Sequence, residues 1–594
     1  MRIFAIAFIF KFVLAVTADS APRCRCTPDR SCWPSDEQWQ ALNNSVSGRL
    51  TSIQPVAWVC HDPTFNNATC QNLTAINTNS LWRRAQPGAV QMINWESWLP
   101  VNQSCYFETP RSVPCGQGKI SKYSVVAESV EDIQSAVRFA TAHNLRLVIK
   151  NSGHDYLGRS TAPESLQIAT FKLNDIEFSD DFVPQGAADG KSVGSTITIG
   201  AGAVLFEIYA ALLTKGKIAV LGSSYTVGAA GGYVQGGGHS PIGSWKGMGS
   251  DNAIEFDVVT AEGDLITVNE YQNTDLFWAF RGGGGGTFGV VTRATLRTFD
   301  EAPMVVAQIN ISALASENTN YWPAVATFSS YVPRLEDENC SGYYFMLPNL
   351  TFPGLGQISA VAAVILCAER SNTTEVEDLL KPMLDPIRKM AGITVSLQST
   401  AYPKTVPAVT GLLSGGADTT GNIVILGSRL ISRELLLSED GPTRLTNALS
   451  QLPAGDTEPF IGHFVAGGQV ARNGDQVRSA LNPAWRRTAV HLVWTRSWAP
   501  GASREDVQAI ENQLTHQEVP IFSGLEPGMG AYLNEADANE ADFQESFWGP
   551  NYARLRTIKQ EWDPTGLFIT RKGVGSEDWD DAGLCRLTEK RIRP

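Results

Sequence analysis

The rhythm of apolar and polar positions changes near residue 119. Residues 19–117 are rich in Cys, Trp, Pro and Asn with little periodicity, which reads as an irregular, disulfide-pinned extension. From Lys119 onward, short β-branched runs alternate with helical spacing. Residues 123–127 read as a strand. Ser129 is placed as an N-cap with Asp132 three residues on, and Val130, Ile133, Val137 and Ala140 recur at the helical period. Residues 145–150 form the next strand, running into Asn151-Ser152-Gly153-His154. Residues 196–200 read as a strand, 205–213 as a helix and 218–221 as a strand. Residues 254–259 and 265–268 read as a hairpin around Glu262-Gly263-Asp264. From Glu301 to about Gly524 the strands and helices lengthen and no chemistry-bearing motif stands out, which suggests a separate lobe. The pattern as a whole is α+β.

The chain start has its own signature. Arg2 precedes an apolar run at 3–10, Lys11 and a second run at 12–16, and Val16-Thr17-Ala18 offers small residues for cleavage. Residues 1–18 therefore read as a signal peptide, too short to span a bilayer, and no membrane anchor is expected. Seven of the ten cysteines (Cys24, Cys26, Cys32, Cys60, Cys70, Cys105, Cys115) fall in the first 115 residues, none at C-x-x-C spacing. Disulfides in an oxidising compartment suit that pattern better than a metal knuckle. Asn-x-Ser/Thr acceptors occur at Asn43, Asn67, Asn72, Asn102, Asn310, Asn339, Asn349 and Asn372, with none between Lys119 and Leu296, so that stretch reads as compact. The expectation is a secretory-pathway glycoprotein, secreted or held in a vesicle or the ER lumen.

Composition narrows the partners. In 594 residues, 43% hydrophobic and 18% charged, a buried core is expected and wholesale disorder is not. With 47 basic against 60 acidic side chains the net charge is −13, which disfavours nucleic acid and anionic lipid. The seven histidines show no pair at metal-ligand spacing, so no metal is expected.

Glycine carries the candidate chemistry. Of 53 glycines, many fall in Gly228-Ala-Ala-Gly231-Gly232-Tyr-Val-Gln-Gly236-Gly237-Gly238-His239-Ser240 and in Arg281-Gly282-Gly283-Gly284-Gly285-Gly286-Thr287-Phe288-Gly289. Such runs are entropically costly, and they suit loops whose main chain must approach a phosphate-bearing ligand. Gly284-x-Gly286-x-x-Gly289 matches a dinucleotide string, yet a helix-like segment precedes it and a strand-like one follows, the reverse of a Rossmann unit. No P-loop is present. Tight packing turns are the competing reading; a dinucleotide in a non-Rossmann fold is favoured. The loop Ser152-Gly153-His154-Asp155-Tyr156-Leu157-Gly158-Arg159-Ser160 leaves a strand, with Arg159 available for a phosphate or a reduced flavin's charge.

Lys150–Ser160, the two glycine clusters and Asp275-Leu-Phe-Trp-Ala-Phe-Arg-Gly-Gly resemble the FAD-binding domain of the vanillyl-alcohol oxidase/p-cresol methylhydroxylase (PCMH) superfamily. Asn551-Tyr552-Ala-Arg-Leu-Arg-Thr-Ile-Lys559-Gln-Glu-Trp562-Asp563-Pro564-Thr-Gly-Leu-Phe568 resembles the C-terminal signature of its berberine-bridge-enzyme-like branch, and the Cys-rich extension resembles that of fungal members. The resemblance implies a two-lobed protein: a PCMH-type FAD domain at 118–300, a substrate domain with an antiparallel sheet and helices at 301–525, and a return segment at 526–594. It implies FAD linked covalently through His154. Ser224 stands where some members carry a second, cysteinyl link, so a single attachment is expected. Carried onto this chain, the cofactor-binding set is Ser152, Gly153, His154, Asp155, Gly158, Arg159, Ser160, Gly228, Gly231, Gly232, Gly237, Gly238, His239, Ser240, Asp251, Val290, Asn551 and Tyr552. Tyr532, in a Tyr-x-Asn segment with Asn534, is the catalytic candidate. Some members use a glutamate ahead of a strand like 486–494, and here Asn482-Pro-Ala-Trp485 offers no carboxylate.

The activity so implied is oxidation of a small organic substrate, such as an alkaloid or polyketide intermediate, by hydride transfer to flavin N5 with reoxidation by molecular oxygen. A monomer is expected. A secreted alcohol or sugar oxidase is the alternative, with Trp322, Trp485, Trp494, Trp498 and Trp548 as cleft aromatics or as core. A non-catalytic disulfide-rich glycoprotein is the alternative of another class.

Overall fold

The structure is a computed structural model describing residues 24–587, apart from 353, 355, 414–417, 419 and 456–457. The expected signal peptide lies outside the described residues. Among the described residues, seventeen strands form three sheets. The first holds β1 (Leu50–Ser52), β2 (Tyr123–Val126), β3 (Arg146–Lys150) and β4 (Ser165–Ala169), ordered β1-β2-β4-β3, with β2, β4 and β3 parallel. The helix Val130–Ala142 joins β2 to β3, and the predicted capping box is present, Ser129 and Asp132 each bonding the other's backbone. Ile133, Ala136, Val137 and Ala140 bury its apolar stripe.

The second sheet is antiparallel: β5 (Ile176–Ser179), β6 (Thr196–Gly200), β7 (Lys217–Ala219), β8 (Ala253–Val259), β9 (Leu265–Asn269) and β10 (Val290–Asp300). β10 lies between β6 and β8 and also pairs β7, and β8–β9 is the predicted hairpin. The helix Thr274–Phe280 and β10 flank the second glycine cluster, the non-Rossmann order expected from the sequence.

The third sheet has order β14-β11-β13-β12-β16-β17-β15, all antiparallel. Its strands are β11 (Met304–Leu314), β12 (Cys340–Phe352), β13 (Gly356–Ala368), β14 (Thr394–Tyr402), β15 (Ile425–Ser432), β16 (Phe460–Phe464) and β17 (Thr488–Arg496). Strand alternation divides its residues between two faces. Tyr344, Met346, Ala363, Ile365, Phe464, Leu492 and Trp494 join the helices Tyr321–Asp337, Thr373–Arg388 and Gly441–Leu449 in one apolar core. Tyr343, Phe345, Val364, Ile461, His463, Val493 and Thr495 face the other way, into a cavity.

The N-terminal extension is more regular than its sequence suggests. It folds helices Asp36–Ser45, Asn67–Ile76 and Ser80–Ala85, capped by Ser35, Asn66 and Asn79. Helix Asn67–Ile76 buries none of its residues, so it has no apolar stripe to read. Disulfides Cys26–Cys32, Cys60–Cys70 and Cys105–Cys115 pin the extension locally, and Cys24–Cys585 ties it to the other end of the chain. With Cys340–Cys367 across β12 and β13, all ten cysteines are paired. Among the described residues no helix is long and apolar enough to cross a membrane.

Candidate functional site

The inner face of the third sheet, the end of β3 and both glycine loops enclose a cavity of about 630 Å³. Of the residues carried over from sequence, Ser152, Gly153, His154, Asp155, Arg159, Ser160, Gly228, Gly231, Gly232 and His239 line it, with Gly285, Gly286 and Gly289 of the second cluster. Tyr532, Asn534 and Ser224 also line it.

The remaining carried-over residues have other partners. Gly158 packs on the Trp95 ring, where a Cβ would come within 2.5 Å. A Cβ at Gly237 would meet Leu481 and one at Gly238 the Tyr233 ring. Ser240 is fully buried and accepts the Ile242 N–H through Oγ. Asp251 is paired with Arg486 at 2.7 Å. Val290 points into the core beneath the first sheet, while its neighbours Gly289 and Val291 face the cavity. Asn551 donates to the Leu481 carbonyl, and the Tyr552 hydroxyl bonds Glu577. None of these eight reaches the cavity. Arg159 reaches it with its guanidinium already held by Asp155 and Asn534.

Part of the glycine requirement comes from the protein itself. A Cβ on Gly228 would fall 1.7 Å from Asn151 Oδ1, so this loop lies directly on the Asn151 side chain. A Cβ on Gly285 would lie 2.9 Å from Gly232 Cα, so the two loops touch backbone to backbone. Packing turns and a ligand cradle are here the same feature.

His154 sits at the head of its loop, largely buried, with Nε2 2.7 Å from Thr226 Oγ1 and 3.3 Å from Asp418 Oδ2. Thr226 Oγ1 donates to Asp418, as do the backbone N–H groups of Tyr225 and Thr226. Burial alone would raise the Asp418 carboxyl, but His154 and these donors hold it well below the usual carboxylate range. Since a threonine has one hydroxyl hydrogen and Asp418 receives it, the contact to His154 is made by an N–H on Nε2. In the neutral imidazole the lone pair then lies on Nδ1.

A second cluster lies against the third sheet. Glu535 Oε1 is 3.1 Å from His239 Nε2, and its Oε2 is 3.0 Å from His491 Nε2 and 3.6 Å from His463 Nδ1. Burial works against the Glu535 anion, but the imidazoles hold its carboxyl well below the ordinary value. Burial also holds His463 well below, and His491 below, the ordinary imidazole value. His463 and His491 are cross-strand partners on β16 and β17. These histidines, with Tyr343 and Asp418, come from the lobe that showed no motif. Sequence spacing spoke against a metal centre, yet the fold gathers groups that no local spacing connects. Tyr532 Oη accepts from Asn534 Nδ2 at 2.8 Å and from the Gly238 N–H at 3.3 Å. Burial and then Glu535 push its pKa well above that of free tyrosine, so it stands as the neutral phenol.

Residues 121–269 match the family model described as FAD binding domain, and residues 531–575 the one described as berberine and berberine like. An uncharacterized FAD-linked oxidoreductase of Arthroderma benhamiae is 51% identical over 570 residues, 96% of this chain and 97% of that one. The chain belongs to the berberine-bridge-enzyme-like FAD-linked oxidoreductases. The FAD-linked oxidoreductase malF of Malbranchea aurantiaca is 40% identical over 580 residues, 96% of this chain and 95% of that one. Among solved structures, the VAO-type flavoprotein MtVAO615 of Myceliophthora thermophila superposes with a TM-score of 0.84 at 32% identity, over 95% of this chain and 100% of that one. The protein is thus an enzyme with FAD as cofactor, built on the two-domain fold of VAO-type flavoproteins. The cavity fits that group: it is walled by touching glycine loops, and the buried Gln235 Oε1 and Asn422 Oδ1 on its lining have no hydrogen-bond partner among the described residues.

Proposed function

We propose that this oxidoreductase oxidises a small, largely apolar organic molecule of secondary metabolism, with molecular oxygen as final electron acceptor. One observation carries the reading: the hydrogen-bonded chain His154–Thr226–Asp418 stands at a glycine-walled cavity whose opposite wall is apolar. When bound, FAD supplies the acceptor for a substrate hydride and passes the electrons on to oxygen.

His154 is the attachment residue of this reading. Its Nδ1 lone pair, set by Thr226 and Asp418, is the nucleophile that would hold the isoalloxazine 8α carbon. Every cysteine is in a disulfide and Ser224 lines the cavity, which supports a single link. Ser152, Gly153, Asp155, Ser160, Gly228, Gly231 and Gly232 would form the cofactor's cradle.

Tyr532 is the catalytic residue: its phenol, oriented by Asn534 and Gly238, hydrogen-bonds the substrate heteroatom beside the carbon that loses hydride. The facing wall of Val364, Leu412, Val424, Leu426, Ile461 and Val493 excludes water and suits an apolar scaffold over a sugar. Trp485, Trp494 and Trp548 are fully buried, Trp322 and Trp498 pack on a core, and none of the five lines the glycine-walled cavity. We read 118–300 with 526–594 as the FAD unit and 301–525 as the substrate lobe, and the five disulfides support a route through the secretory pathway.

Colour and a substrate panel test the proposal. The purified protein should be yellow, keep its colour in the acid precipitate, and release peroxide with apolar alcohols or amines in preference to oligosaccharides. A colourless protein would remove the reading, and a preference for oligosaccharides would replace its substrate class.

A further inference from the structure

The cluster around Glu535 joins two hydrogen-bonded imidazoles, His239 and His491, to a third, His463, that makes no hydrogen bond to the carboxylate. His239, His463 and Glu535 each offer a donor atom, and the three atoms lie within 4.8 Å of one another. All three residues line the cavity, whereas His491 does not. His491 is fully buried and holds Glu535 Oε2 at 3.0 Å from behind.

One distance separates a metal centre from a proton network. His463 Nδ1 stands 3.6 Å from Oε2, too far for a hydrogen bond, and has no other hydrogen-bond partner among the described residues. His239 Nε2 stands 3.1 Å from Oε1. Donors about 2.0–2.2 Å from one ion stand roughly 3.3–3.6 Å apart at tetrahedral angles and about 3 Å apart at right angles. The two contacts, one to each carboxylate oxygen, match such edges, and the three donors, within 4.8 Å of one another, close on an ion by a small shift of side chains.

Charge points the same way. Among the described residues no guanidinium or ammonium pairs with Glu535, and Arg159, the cation of the nearby cavity lining, is bound to Asp155 and Asn534. A buried carboxylate needs a compensating positive charge.

We propose that His239, His463 and Glu535 bind one divalent first-row cation, zinc by preference, with His491 fixing the carboxylate. Two imidazoles and a carboxylate are borderline donors that suit Zn²⁺, and three protein ligands leave a coordination position free. That position opens on the cavity, so a water or a hydroxyl or carbonyl oxygen of a substrate would complete the shell. This substrate role, though not the binding, rests on the oxidation proposed above. His491 takes the part that carboxylate partners play around catalytic metals, orienting a ligand without touching the ion.

The test uses the flavin-loaded enzyme, stripped with a chelator and titrated with Co²⁺ under its visible absorption, then with Zn²⁺ in competition. The expected result is one Co²⁺ per chain with d–d bands, displaced by one equivalent of Zn²⁺. Affinity should fall at least 100-fold in His463→Ala and in Glu535→Gln, and about 10- to 100-fold in His491→Gln. Wild-type enzyme that binds no stoichiometric Co²⁺ overturns the proposal without recourse to any variant. So does undiminished binding by His463→Ala. Flavin absorbance is read in the same samples, so loss of the metal site is distinguished from failure of the flavin assignment.

Discussion

Asp418 Oδ2 lies 3.3 Å from His154 Nε2, joining a loop of the third-sheet lobe to the loop that follows β3. The same carboxylate accepts Thr226 Oγ1 and the backbone N–H groups of Tyr225 and Thr226. One acidic side chain therefore sets the tautomer of His154 and clamps the segment carrying Ser224. The two lobes meet at the His154 ring, on its Nε2 side.

Replacing His154 by Ala should leave the fold and most flavin binding intact while abolishing the covalent bond. After acid precipitation the wild-type pellet should stay yellow and the variant should release its flavin to the supernatant. A His154→Ala pellet that remains yellow would mean that another side chain carries the link.

Asp418→Asn should slow covalent attachment several-fold, because Nδ1 loses the partner network that fixes its lone pair. The measurement is the fraction of acid-stable flavin against time after adding FAD to flavin-free protein. Acid stability gives a second readout. The Asp418 carboxyl is lower in the folded protein than its unfolded value of about 3.9. Its contribution is therefore complete above that pH and is lost as pH falls below it. The melting-temperature gap between wild type and Asp418→Asn should be widest at pH 6 and narrow toward pH 3. A gap that widens on acidification would contradict this assignment.

Gly228→Ala should damage cofactor binding and stability together. The added Cβ would fall 1.7 Å from Asn151 Oδ1, and Asn151 bonds Thr170, Ala201 and the Ser152 N–H. Neither side can retreat without breaking buried hydrogen bonds, so a loss of about 1–3 kcal/mol or more is expected. Thermal melts with and without FAD check it; an unchanged melting temperature would show that the loop yields freely.

Much of the FAD region was legible because its signals are local. The Ser129 capping box, the 260–264 turn and the strand–loop order around His154 each depend on residues a few positions apart. The glycine clusters likewise announced themselves. Asp418, His463 and His491 carried no such signal: each is one polar residue in a lobe of strands and loops, and sheet pairing places the two histidines while contacts to His154 and Thr226 place Asp418. Strand alternation puts His463 and His491 on the inner face, but which inner residues become site residues depends on the sheet order β12-β16-β17. The carried-over Asp251 and Tyr552 failed to reach the cavity for the converse reason, since Arg486 and Glu577 engage them.

Tyr532→Phe tests the chemistry apart from binding. The hydroxyl accepts two hydrogen bonds, from Asn534 and Gly238, which leaves its own hydrogen for a substrate heteroatom. The ring is nearly fully buried among Trp485, His239 and His491, and phenylalanine fills the same volume, so neither fold nor flavin content should change. What disappears is one oriented hydrogen bond at the reacting centre, together with any proton passed through it. The rate of flavin reduction by a substrate from the peroxide panel should fall by about 10²-fold or more. Anaerobic stopped-flow absorbance measures that rate directly and excludes effects on reoxidation. Reduction at the wild-type rate would show that Tyr532 only packs against the glycine loop.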